Sequence, residues 1–67
     1  MDLWVITKKG ESYVLRQWAM RPDGTVGADL EVAVSSDLAV LREFLPCYRR
    51  RADSRALGVE GMVEAWT

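Results

Sequence analysis

The chain has no histidine and a single cysteine, Cys47. Without histidine there is no Ser-His-Asp or Cys-His nucleophile system, and the commonest general base near neutral pH and the commonest metal ligand are missing. One cysteine closes no intrachain disulfide and cannot build a zinc site of the usual Cys/His types, so nothing argues for an oxidising compartment and the cytosol is the default setting. No apolar run is long enough to span a bilayer, and the N-terminus lacks the basic start, apolar stretch and small-residue cleavage site of a signal peptide. Phosphate loops of the GxxxxGK(S/T) or GxGxxG kind are also absent. Catalysis is therefore not expected, and neither is a cofactor or a metal.

What is present is apolar, aromatic and unevenly charged. Sixty-seven residues make one domain (1–67) with a thin core, which three Trp, two Tyr and one Phe help to fill. An apolar fraction of 49% excludes a disordered chain. The net charge of −1 hides a basic segment: residues 42–55 carry Arg42, Arg49, Arg50, Arg51 and Arg55 against Glu43 and Asp53.

Local signals give the order of elements. Leu3 to Thr7 favours a strand, and Lys8-Lys9-Gly10-Glu11 supplies a turn. Ser12 to Met20 is a second strand, apolar on both faces except at Arg16 and Gln17. In Arg21-Pro22-Asp23-Gly24-Thr25 the proline presets φ, aspartate suits the next position and glycine accepts the left-handed conformation that follows. A third strand alternates, with Val26, Ala28, Leu30, Val32 and Val34 on one side and Thr25, Gly27, Asp29, Glu31 and Ala33 on the other. Ser35-Ser36-Asp37 opens a helix whose apolar stripe is Leu38, Leu41, Phe44 and Leu45, and Pro46 ends it. Residues 47–57 read as a second short helix or an ordered loop, and Met62 to Trp66 as a last strand. The class is α+β: an antiparallel sheet of three or four strands in β-β-β-α-β order, with a helix on one face and a spatial order of 3-2-1-4. The other face would be open.

Two registers join the second and third strands. A three-residue Pro22-Asp23-Gly24 loop pairs Arg21 with Thr25 and puts Trp18 on the face of Ala28; Tyr13, Leu15, Gln17, Asp29 and Glu31 then line the open face. A two-residue Asp23-Gly24 turn instead sets Arg16 against Glu31 and Trp18 against Asp29. Turn chemistry favours the first. Asp29 and Glu31 point outward in both.

Two charged surfaces follow. Asp29 and Glu31, with Asp23 at the adjoining turn and Tyr13 and Leu15 beside them, suit a basic protein partner; the plainer reading is solubilisation and protection of a strand edge. As catalytic carboxyls the pair would stand roughly 7 Å apart between Cα atoms, yet polar residues on the outer side of an amphipathic strand need no such role. Arg49, Arg50, Arg51 and Arg55 could contact phosphates, but a sequence pI near 5.2 argues for a solvated face or for pairing with acids of the last strand. Trp66 is the tryptophan expected to be partly exposed, and Cys47 a small buried apolar residue. Self-association is a third use of spare strand surface.

With the stretch Arg21 to Gly27, the acidic alternating strand and the helix from Ser35 to Pro46, the chain resembles the small α+β proteins of phages and mobile elements, several anti-CRISPR inhibitors among them. The likeness lies in size and element order and carries over no residue. It implies a stoichiometric binder that covers a basic nucleic-acid-binding surface with acidic groups, a role that would suit Asp29 and Glu31.

Overall fold

The computed structural model describes residues 2–46, 50–52 and 59–67. The strand-favouring runs at the N-terminus form a hairpin, β1 (Asp2–Lys9) and β2 (Ser12–Met20), turned at Gly10 with φ 61°. β3 (Val26–Ser35) returns along β2, the helix α1 (Leu38–Arg42) follows, and β4 (Arg51–Ala52) and β5 (Met62–Trp66) complete an antiparallel sheet of order β3-β2-β1-β5-β4. The class is α+β, as the sequence predicts, with one strand more than expected. Arg51 and Ala52 lie in the stretch read as helix or loop; they extend the sheet because Arg51 pairs with Trp66 and Ala52 with Ala65. The rest of that reading, with Cys47, Arg49 and Arg55, falls outside the described residues.

α1 is capped by Asp37, not by a hydroxyl of Ser35 or Ser36: the Asp37 side chain accepts from the Ala39 N–H at 2.9 Å. It lasts only five residues before tightening into turns, with Phe44 N–H donating to Leu41 and Leu45 N–H to Arg42. That shortening takes Phe44 out of the apolar stripe and leaves it exposed, while Leu41 and Leu45 pack inward.

The sheet is buried on both faces at its centre. Beneath α1, Ile6, Leu15, Leu41, Leu45 and Trp66 form one cluster; on the opposite face Leu3, Val5, Trp18 and Ala65 form another, flanked by Met20, Ala52 and Met62. Neighbours in sequence thus serve opposite faces, Val5 and Ile6 on β1 and Val14 and Leu15 on β2, all fully buried. The expectation of a second face left wholly open is corrected. Two near-continuous apolar strands at the centre supply side chains for both sides.

One charged group enters the core side. Glu64 pairs with Ile6 on the face covered by α1, and the Arg42 guanidinium donates to both its carboxylate oxygens, Nε at 3.0 Å. The clasp ties the helix to the last strand across 22 positions. Hydrogen bonds from Arg42 hold the Glu64 carboxyl below its ordinary value of 4.5, against the opposing effect of burial, and the charges of Arg42 and Arg51 add to the lowering. A folded-state pKa below the unfolded one means stability that is present above pH 4.5 and is lost as pH falls through the lowered value. The thermal midpoint should therefore drop with acidification below about pH 4.5, and Glu64→Gln should flatten that limb in melts run across acid pH. Asp23, also lowered by its hydrogen bonds to Thr25, keeps a dependence of the same sign in the variant.

Candidate functional site

The turn before β3 is built from its own side chains. Arg21 N–H donates to Thr25 and Gly24 N–H to Arg21, closing a three-residue loop over Pro22, Asp23 and Gly24, with Gly24 at φ 89°. Asp23 Oδ1 accepts from Thr25 N–H at 2.9 Å and from the Thr25 hydroxyl at 2.6 Å. These two bonds, the hydroxyl first, lower the Asp23 pKa. The Arg21 guanidinium closes over the same turn, donating to Thr25 Oγ1 at 3.1 Å and to the Val26 carbonyl at 3.0 Å. Asp23 is exposed but engaged within the loop.

The loop is the one that turn chemistry favours, yet the register beyond it is the other one. Met20 pairs with Val26, after which a bulge at Gly27 shifts the ladder, so that Ala19 meets Ala28, Trp18 meets Asp29 and Arg16 meets Glu31. A second bulge, at Val32, shifts it again before Leu15 meets Ala33. A glycine suits the first bulge: a Cβ at Gly27 would stand 3.1 Å from the Ala19 carbonyl oxygen and 3.3 Å from Arg21 Cγ. The alternation read from sequence breaks at both points. Val26, Asp29, Glu31 and Val34 share one face, and Ala28, Leu30, Ala33 and Ser35 the other.

That shift decides the fate of each candidate residue. Asp29 and Glu31 are exposed on the face away from α1, with Arg16 and Trp18 as cross-strand neighbours. Tyr13 and Leu15 are not with them. Leu15 is 0% exposed within the cluster beneath α1, and Tyr13 is half-buried against it, because the helix packs on the odd-numbered side of β2. Both are corrected from partner surface to core. Trp66 is corrected as well: at 6% exposure it fills the space between α1 and β1, since β4 continues the sheet beyond it. Of the arginine cluster, Arg50 and Arg51 are described and exposed; Arg50 exchanges backbone hydrogen bonds with Thr67, and Arg51 adds its charge to the field at Glu64.

The cation facing the carboxylates of β3 is Arg16, on β2. Its Nη1 donates to Asp29 Oδ2 at 3.2 Å and its Nε to Thr7 Oγ1 at 3.3 Å. Asp29 is thereby paired, while Glu31 has no hydrogen bond or ion pair among the described residues. Beneath Asp29, the buried Trp18 indole N–H finds no acceptor among them. Along the whole strand the apolar side chains lie open: Leu30 is 59% and Val34 58% exposed, and Val26 and Val32 are exposed too. Sequence reasoning set these four together on the side opposite Asp29 and Glu31; their exposure follows from β3 being an edge strand, with Val26 and Val34 on the face away from α1 and Leu30 on the helix face beyond the five residues of α1. Among the described residues no group of three or more acidic or cysteine side chains is placed to hold a metal ion, and no helix is long and apolar enough to cross a membrane.

No protein-family model matches the chain, and searches of curated proteins and of solved structures returned no match.

Proposed function

We propose that this chain is a non-enzymatic protein-binding module of the cytosol, a stoichiometric inhibitor in the anti-CRISPR manner, presenting β3 with Asp29 and Glu31 to a basic surface of its partner. The observation that carries the reading is the exposure of β3. The longest strand of the sheet, ten residues with three valines and one leucine, leaves Leu30 59% and Val34 58% exposed and Val26 and Val32 more than a third exposed. On the face of Asp29 and Glu31 the exposed apolar groups are Val26 and Val34, which frame the two carboxylates at either end and suit an interaction site. The acidic groups supply the choice of partner, since they reward a cation opposite them and penalise another anion.

The non-enzymatic half rests on chemistry. Asp29 is ion-paired to Arg16, and both carboxylates are exposed on an edge strand. A concavity of about 290 Å³ is lined by Met20, Arg21, Pro22 and Gly24, whose one charged side chain is held by the turn.

Replacing Asp29 and Glu31 together by lysine should abolish capture of the partner from the native host or its infecting element. The thermal midpoint should move by no more than a few degrees, because both side chains are exposed and only the Arg16 contact is lost. A protein retained equally by the wild-type chain and by Asp29→Lys/Glu31→Lys would overturn the reading.

A further inference from the structure

We propose, resting on the reading of β3 as the binding surface, that its outer edge is a strand-acceptor site. The occupant is an extended segment of the partner in which lysine or arginine alternates with apolar residues. The two edges of the sheet differ in kind. β4 is two residues long and offers almost no template, whereas β3 runs for ten with β2 on one side and, among the described residues, no strand on the other. A free edge of that length leaves every second N–H and C=O without a ladder partner, a liability that folded proteins commonly suppress with lysine, proline or a covering loop. β3 contains neither lysine nor proline, and its own protection is two carboxylates and the bulges at Gly27 and Val32, which leave four regular residues between them.

The bulges delimit the site. Between Gly27 and Val32 the register is unbroken over Ala28, Asp29, Leu30 and Glu31, giving a regular stretch onto which another strand can pair. At its N-terminal end the Val26 carbonyl is already taken by Arg21. Side chains of an added strand would alternate as β3 does. Those on the face of Asp29 and Glu31 meet carboxylates, and those on the face of Ala28 and Leu30 meet apolar groups.

Charge excludes a second copy as the occupant. Arg16 stands opposite Glu31 but spends its guanidinium on Asp29, so the trio keeps one net negative charge. No Lys or Arg lies between Val26 and Ser35. Two β3 edges paired antiparallel about Leu30 would set Asp29 of one copy against Glu31 of the other, with each Arg16 neutralising its own Asp29 and leaving both Glu31 carboxylates without a cation. A cation opposite Glu31 removes the imbalance.

The test uses the full chain and short acetylated peptides. One alternates valine with lysine, a second is the same peptide N-methylated throughout, and a third carries glutamate for lysine. The lysine peptide should slow amide exchange within Ala28–Glu31 about tenfold or more, while N-methylation, which keeps the side chains and removes the strand donors, should weaken binding about tenfold. Glu31→Lys should weaken the lysine peptide and favour the glutamate one. Equal binding of the methylated and unmethylated lysine peptides would overturn strand addition while leaving an acidic docking face intact. Equal binding of the glutamate and lysine peptides would overturn both. Absence of binding by any peptide at millimolar concentration would remove the acceptor site without touching the capture experiment, and protection of β3 that rises with protein concentration alone would replace the partner by a second copy.

Discussion

Leu15→Ala should destabilise the chain by about 2–5 kcal/mol, as expected for emptying a closed leucine site. Leu15 is fully buried in contact with the cluster of Ile6, Leu41, Leu45 and Trp66. Removing its isobutyl group takes away apolar burial and leaves a cavity between sheet and helix that the short α1 has few neighbours to refill. A chain of this size is stable by only about 3–10 kcal/mol, so the substitution consumes a large part of the total. Urea unfolding at 25 °C measures the effect as a fall in midpoint at constant slope. A change under about 0.5 kcal/mol, the range of ordinary surface substitutions, would return Leu15 to the surface where the sequence placed it.

Trp66→Ala should be at least as severe, about 3–5 kcal/mol. The indole lies over Trp4 across the β1–β5 pairing and under Leu41 and Leu45, and its strand also carries Glu64, the acceptor of the Arg42 clasp. Loss of the ring loosens the helix on one side and the last strand on the other. Near-ultraviolet circular dichroism of the folded fraction, together with the urea midpoint, reports both. A variant that keeps the wild-type midpoint would mean that the C-terminal strand contributes little to the fold.

These two residues mark where the sequence could be read and where it could not. The turn at Pro22–Gly24, the bounds of β2 and β5 and the order of the four longer strands were legible because each rests on local backbone chemistry or on simple adjacency. The facing of Leu15 was not. It depends on a bulge at Gly27, and a glycine in an alternating strand does not announce whether it adds a residue to the ladder. Trp66 looked exposed because it lies near the end of the chain, whereas two residues from a stretch with no strand signal, Arg51 and Ala52, extend the sheet past it. The acids of the last strand read as partners for the run Arg49 to Arg55, whereas Glu64 is hydrogen-bonded to Arg42 on α1 and takes only a charge effect from Arg51. Asp29 and Glu31 were legible as outward-facing because neither register turned them inward. The exposure of Val26, Leu30, Val32 and Val34 was hidden by the same alternation, which cannot tell a strand that could fill a core from one that is left outside it.

The bulges at Gly27 and Val32 also govern how β3 tolerates changes in length. Each is a surplus residue opposite a continuous β2, so deleting either one restores a plain ladder and leaves every other side chain on its present face. Deletion at Leu30 would instead turn over the neighbours on one side as far as the nearest bulge, exchanging what the two faces display. Single-residue loss should thus be silent at two places in this strand and drastic between them, so that drift in length during descent is channelled to the positions that frame Asp29 and Glu31.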